Sequence, residues 1–269
     1  MIDRKRVRDS FGRQAREYDH HASVQKRVLA RFLEMLKREG ISPRRLLDVG
    51  AGTGMLLRSL RTLYGHTSAV GLDLAVGMSR KARENLGTDR KTHFLAADAE
   101  NLPFSDSVFD LVVSTSTFQW LSDLEPAFGE VFRVLAPGGL FCFALFAENT
   151  LHELKASYRS ALAARGCLEH DRTHEFHSRE DVLAALEGAG FTDRRVSFQQ
   201  ELDLHDDVPS LLRSLKRIGA GNASPPPGRG LAGRRLMLDM MQRYRDVYGK
   251  GAGIPATYGI IYGVCRKGF

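Results

Sequence analysis

Residues 46–54 read L-L-D-V-G-A-G-T-G, an apolar run that breaks into a glycine-rich turn. This is the pattern of a strand feeding a loop that opens a helix. The dinucleotide fingerprint G-x-G-x-x-G fails here, because after Gly50 and Gly52 the third glycine position holds Met55. The close helix packing of the dinucleotide version is therefore not specified. A glycine loop still lets a ligand approach the backbone, whose amides at a helix N-terminus are donors. Asp48 adds a negative charge at the mouth, which is awkward for a pyrophosphate and suits a cation. Met55 and Asp48 together speak against a nicotinamide dehydrogenase.

Outward from this loop, short apolar runs alternate with helical segments: R-L-L-D-V (45–49), A-V-G-L-D (69–73), T-H-F-L-A-A (92–97), F-D-L-V-V-S (109–114) and L-F-C-F-A-L-F (140–146). Such alternation implies an α/β fold with a parallel sheet covered on both faces. Upstream, Val7, Phe11, Ala15 and Tyr18, then Val24, Val28, Phe32 and Leu36, mark two amphipathic helices. Phe128, Val131, Phe132 and Leu135 form a stripe that Pro137-Gly138-Gly139 is expected to stop. Beyond residue 150 come a helix around Leu151–Leu162, a polar loop to His177, and a capping box at Ser178–Asp181 opening another helix. A sixth strand is expected at 196–204, a helix with Leu211, Leu215 and Ile218 on one face, a loop at 219–230, a helix through Met240 and Tyr248, and a closing strand at 256–265. The expected organisation is one domain: N-terminal helices 1–43, a cofactor-binding half 44–150, helical lid insertions 151–177 and 204–254, and a last strand 255–269.

Bulk properties set limits. The 269 residues can bury a large core, and no apolar run approaches the roughly 20 residues that cross a bilayer. The N-terminus lacks the apolar core of a secretory signal, so the cytoplasm is the expected compartment and no membrane is expected as partner. Cys142, Cys167 and Cys265 show no pairing pattern, two of them lie in apolar stretches that read as strands, and buried inert thiols are expected. A net charge of +7 favours an acidic partner, although Lys and Arg are spread along the chain and solvated helix faces explain them equally well.

Asp73 ends the second strand, where a carboxylate can accept hydrogen bonds from ribose hydroxyls, and Asp98 ends the third, where it could accept from an adenine amine. Aspartate is common after strands, and each acid alone could be a cap. Three acids at successive strand ends around a glycine loop suit a ligand with an adenosine and positive charge but no phosphates, as in S-adenosyl-L-methionine.

The ordered set L-D-V-G-A-G-T-G, G-L-D-L, A-A-D-A-E-N-L-P-F, F-D-L-V-V-S and R-V-L-A-P-G-G resembles the motifs of class I methyltransferases across residues 44–146. That resemblance implies a Rossmann-like, mostly parallel, seven-stranded sheet with an antiparallel last strand. It also implies that Gly50, Gly52 and Gly54 line the methionine side, with Asp48 at the mouth and Ala51 among the cofactor-binding residues. Asp73 would take the ribose, Asp98 and Ala99 the adenine, with Leu74, Met78 and Ser114 around them. S-adenosyl-L-homocysteine would be the product.

The flanks F-G-R-Q-A-R-E-Y-D-H-H-A (11–22), T-F-Q-W-L-S-D-L (117–124), S-L-K-R-I-G-A (214–220) and P-A-T-Y (255–258) are similar to the malonyl-acyl carrier protein O-methyltransferases of biotin synthesis. This likeness implies methylation of the free carboxylate of a malonyl thioester, on an acidic acyl carrier protein bearing malonyl-phosphopantetheine or on coenzyme A. A carboxylate is ionised at neutral pH, so no general base is required and no catalytic residue is assigned. Tyr18, Phe118, Trp120, Lys216, Arg217 and Tyr258 are the candidates for positioning the acceptor. Each has a competing structural role in packing or as a solvated charge. His170, His174 and His177 would share a helical face, but no H-E-x-x-H motif or cysteine accompanies them, and no metal is expected. Residues 114–118, S-T-S-T-F, lack the D/N/S-P-P-Y/F stretch of nucleic-acid N-methylating enzymes, and no nucleic-acid partner is expected. Rival readings are a methyltransferase for a quinone precursor or other metabolite, and a non-catalytic module that binds an adenosyl ligand.

Overall fold

A computed structural model describes residues 2–87, 91–168, 171, 173–221, 231–249, 251 and 253–268, without the side chains of residues 231 and 232. Its seven strands are β1 (Arg45–Val49), β2 (Ser68–Asp73), β3 (Thr92–Ala96), β4 (Phe109–Thr115), β5 (Leu135–Ala147), β6 (Thr192–His205) and β7 (Ile254–Arg266). They form one sheet in the order β3-β2-β1-β4-β5-β7-β6. β1 to β5 pair in parallel, and β7 lies antiparallel between β5 and β6. This is the expected class I methyltransferase sheet. Chain direction along the sheet switches between β1 and β4, and an open α/β sheet has its ligand crevice at such a point, beyond the carboxyl ends of the strands.

The strands are apolar on both sides, which a sheet covered by helices on two faces requires. Leu46, Leu111, Val113, Leu140 and Cys142 point to one layer, with α3 (Ser23–Arg38), α4 (Met55–Leu63), α7 (His152–Ala163), α9 (Val208–Arg217) and α10 (Leu231–Tyr248). Leu47, Val112, Phe141 and Phe143 point to the other, with α6 (Glu125–Val134) and α8 (Arg179–Gly188). In α3 the residues four apart, Val24, Val28, Phe32 and Leu36, are all buried. Burial of each such side chain contributes roughly 1.5–3 kcal/mol. The capping box expected at Ser178 forms in both directions with Asp181.

Two local expectations differ. The single helix expected through Val7–Tyr18 is α1 (Arg4–Gln14) followed, after a turn, by the short α2 (Tyr18–His21). The stripe before β5 stops at Val134, because Leu135 turns extended and pairs with Phe109. Pro137-Gly138-Gly139 instead occupies the shift between the Phe109–Leu135 and Leu111–Leu140 pairs. The remaining helix, α5 (Val76–Leu86), lies on β2 and β3, and α1 packs on α5. That crossing is close: a Cβ on Gly77 would lie 2.6 Å from the Gly12 carbonyl oxygen.

Candidate active site

A cleft opens over the carboxyl ends of β1, β2, β3 and β4, roofed by α1 and bounded by the 3-10 turn Phe118–Trp120. The sheet register fixes its floor. Asp48 pairs with Gly71 across to β2, and Asp73 with Ala96 across to β3, so the acids converge at one end of the sheet.

The glycine loop follows β1 directly. Gly50, Gly52 and Gly54 all have left-handed φ, at 78°, 54° and 84°, where only glycine is unstrained. Each has a different neighbour. A Cβ on Gly50 would fall 1.9 Å from Thr117 Oγ1, and one on Gly54 2.6 Å from Leu86 Cδ1. A Cβ on Gly52 would meet nothing within 4 Å and would project into the cleft that Gly52 lines. That vacancy is a cradle for a ligand.

Asp73 binds both sides of this cradle. Its Oδ2 accepts from the Gly52 amide at 2.9 Å and its Oδ1 from the Ala75 amide at 2.8 Å. Burial pushes the Asp73 carboxyl up to about 6, against the pull of those two amides. Asp48 is 1% exposed, and neither of its carboxylate oxygens has a hydrogen-bond partner among the described residues. Burial, and the charge of Asp73, hold its carboxyl well above the ordinary range. A buried acid without partners is costly, and a cation or donor group beside it removes the cost. These residues fit S-adenosylmethionine: an open glycine loop, a cleft-lining acid at the end of β2 and a buried acid without partners behind the loop.

Of the expected cofactor residues, Gly50, Gly52, Asp73, Leu74, Met78, Asp98 and Ala99 line the cleft. Asp48 lies behind the loop, and Ala51 and Gly54 shape the loop from outside the lining. Ser114 is buried and spends its hydroxyl on the Val49 carbonyl at 2.7 Å, so it steadies β1 against β4. Asp98 is not free, because Arg4 of α1 reaches over the cleft to bond Asp98 Oδ1 and Glu100.

Among the acceptor candidates, Tyr18 and Trp120 line the cleft. Burial and the neighbouring Asp19 and Asp73 raise the Tyr18 phenol, so it stays protonated as a donor. Phe118 does not wall the cleft. It is fully buried and packs edge-on against Phe128 and Phe141 in the core. Tyr258 is buried against Phe146, away from the lining. Lys216 and Arg217 are exposed at the end of α9, also outside the lining. Gly219, just beyond them, packs against Phe11, whose ring meets Trp120 edge-on at 5.5 Å.

The histidine segment joins this wall from behind. His174 stacks on Trp120 at 5.3 Å, and its Nε2 meets the Gln119 carbonyl at 2.9 Å. His177 Nε2 meets the Leu121 carbonyl at the same distance. A carbonyl only accepts, so both nitrogens carry the proton. Burial pushes His174 down to about 4, which keeps it neutral at pH 7. His170 lies outside the described residues.

Arg4, Val7, Arg8 and Thr117 also line the cleft and were not expected from the sequence. The stripe Val7–Phe11–Ala15 signalled that α1 packs on something, but not on what.

The position of Asp73 carries a pH prediction. Between the ordinary 3.8 and about 6, the native protein holds a proton on Asp73 that the unfolded chain has released. This group's contribution to stability therefore falls as pH rises through that window. Ligand binding moves the opposite way, since ribose hydroxyls donate best to the ionised acid. Calorimetric titration with S-adenosylhomocysteine is expected to show affinity falling as pH drops below about 6, with an Asp73→Asn variant losing that dependence. A flat wild-type profile contradicts the assignment.

A family model described as a methyltransferase domain matches residues 47–143. The malonyl-[acyl-carrier protein] O-methyltransferase of Geobacter sulfurreducens is 54% identical over 99% of this chain and 100% of its own length. That of Methylovorus sp. is 38% identical over 99% of this chain and 90% of its own. Among solved structures, a Haemonchus contortus N-methyltransferase bound to phosphomonomethylethanolamine and S-adenosylhomocysteine superposes with a TM-score of 0.57. It covers 89% of this chain and 53% of that one at 20% identity, a likeness of fold.

Proposed function

The chain belongs to the malonyl-[acyl-carrier protein] O-methyltransferases, and from that membership we propose that its cleft methylates the free carboxylate of a malonyl thioester carried on an acyl carrier protein. The product ester would enter synthesis of the pimeloyl precursor of biotin. The observation that carries the proposal is the partnerless buried Asp48 behind an open glycine loop, an acid that a cationic or hydrogen-bond-donating ligand group would satisfy.

When bound, S-adenosylmethionine would supply a methyl group on a positively charged sulphur, the sulphur keeping the carbon–sulphur bonding pair as the acceptor oxygen takes the methyl. The acceptor is already an anion at neutral pH, so no side chain needs to remove a proton. What the protein contributes is alignment and exclusion of water. Asp73 would hold the ribose, the loop amides and Asp48 the methionine end, and Asp98, oriented by Arg4, the adenine. Tyr18 offers its protonated hydroxyl from the roof, and Trp120, held between Phe11 and His174, walls the acceptor side. Of the described parts of segments 151–177 and 204–254, His174 and His177 back the Trp120 turn and Gly219 packs against Phe11.

An acidic carrier would meet Lys216 and Arg217, which are exposed and have no ion-pair partner among the described residues. From there its prosthetic arm would pass Gly219 and Phe11 to reach Trp120. Replacing both Lys216 and Arg217 by Ala is expected to raise the KM for malonyl-carrier about five-fold at low salt, with kcat unchanged. High salt should erase the difference, and an unaltered KM at low salt rejects the docking role.

Methyl transfer from labelled S-adenosylmethionine to malonyl-, succinyl- and acetyl-carrier thioesters, with malonyl-coenzyme A alongside, tests the function. Malonyl-carrier should be labelled fastest and acetyl-carrier not at all. Labelling of a quinone precursor in preference to any thioester overturns the proposal.

A further inference from the structure

Asp19 does not line the cleft, yet its carboxylate joins three separate elements. Its Oδ1 accepts from the Thr53 hydroxyl at 2.6 Å, and its Oδ2 from Asn85 Nδ2 at 3.3 Å. Asn85 Nδ2 also donates to the Thr53 carbonyl at 3.0 Å. The set closes on itself. Thr53 gives its hydroxyl to Asp19 and its carbonyl to Asn85, and Asp19 takes both donors. Since that carbonyl requires the Asn85 amide nitrogen, the orientation of the Asn85 side chain is fixed as well.

Thr53 stands between Gly52 and Gly54, both left-handed, and is 2% exposed. The three glycines of the loop have no side chains, so Thr53 supplies the hydroxyl by which the loop is held, beside the Asp73 bond to the Gly52 amide. On the other side, Asp19 directly follows Tyr18, whose ring lines the cleft. A single carboxylate thus sets the glycine loop against the roof. α5 and the N-terminal segment also meet through a small apolar cluster of Ala15, Ala75 and Met78, with Phe11 and Tyr18 against it, and Asp73 ties the loop to Ala75.

We infer that Asp19 is a positioning residue for the methyl donor: it holds the loop amides and the Tyr18 ring in their ligand-ready arrangement through Thr53 and Asn85. The inference rests on the cofactor assignment above and deepens it. It makes donor affinity depend on a segment far from the loop in sequence. It also predicts that Asp19 acts by geometry and not by its charge. A positioning effect applies equally to the cationic donor and to its neutral-sulphur product, whereas a charge effect favours the donor alone.

Calorimetry on the full chain with S-adenosylmethionine and S-adenosylhomocysteine separates these. Asp19→Ala is expected to weaken both ligands by the same factor, about ten-fold, because it removes the bonds to Thr53 and Asn85 together. In a Thr53→Val background the same change should cost less than in the wild type, because the Thr53 bond is already absent and only the longer Asn85 bond is left to lose. Asn85→Ala, which leaves the Thr53–Asp19 bond, should show a smaller loss and guards against an Asp19 variant that fails to fold. Titrations run well below each variant's melting midpoint keep a purely structural role from registering, since the folded fraction would then bind as the wild type does. Unchanged affinities, additive losses in the double variant, or a loss confined to S-adenosylmethionine each overturn the inference. Failure of the wild type itself to bind either ligand would instead remove the cofactor assignment.

Discussion

Asp73→Ala is expected to weaken S-adenosylhomocysteine binding by about 10- to 100-fold, the equivalent of roughly 1.5–3 kcal/mol. The side chain has two tasks. Its oxygens already take the Gly52 and Ala75 amides, which ties the glycine loop to the first turn of α5. Asp73 also lines the cleft, where the ribose hydroxyls would donate to its remaining lone pairs. Removing the carboxylate strips the sugar of its acceptor and leaves the Gly52 amide without its partner, so both losses fall on the same ligand. Asp73→Asn keeps one acceptor oxygen and should fall between the wild type and the alanine variant. Calorimetry decides, and an affinity equal to wild type in Asp73→Ala would remove this residue from the donor site.

Replacing Gly50 by Ala should be more damaging still, with methyl transfer down by more than about 100-fold. A left-handed φ of 78° costs a non-glycine residue roughly 1–2 kcal/mol. The larger cost is steric: the new methyl would fall 1.9 Å from Thr117 Oγ1 and 2.6 Å from Thr117 Cβ. Thr117 belongs to the turn that carries Trp120, so one added carbon pushes the donor loop and the acceptor wall apart together. Because a Cβ at 117 is already too close, Thr117→Ala should not rescue the variant. Thr117→Gly should restore part of the loss and leave the backbone strain. A rescue by Thr117→Ala as large as that by Thr117→Gly would show that the contact has been misassigned.

The parts of this site legible in the sequence are those made by a few neighbouring residues. L-D-V-G-A-G-T-G announces strand, loop and helix within one stretch, and Asp73 and Asp98 stand at the ends of their own apolar runs. Their meeting in space follows from parallel pairing alone. The parts that were not legible depend on how distant segments dock. Phe118 follows a strand as a cleft residue would, but its ring turns inward because Phe128 and Phe141 offer edge-on partners there. Arg4 lies in a run of basic residues that looks like a solvated face. Only the crossing of α1 over α5, at Gly12 and Gly77, brings it to Asp98 and Glu100. Asp19 and Thr53 carry no local sign of their bond. The histidines read as a possible ligand face, whereas His174 and His177 instead hold the backbone of the Trp120 turn.

The place of β7 bears on how the polypeptide is made. It is the last strand along the chain, yet it sits between β5 and β6 and is hydrogen-bonded to both. As the nascent chain leaves the ribosome, β5 and the long β6 emerge with facing edges open, and β6 has no neighbour until Ile254–Arg266 arrives. Unpaired strand edges are what chains associate through. A premature stop shortly before residue 254 would therefore yield a polypeptide that carries every cofactor-site residue named here and still clumps during translation.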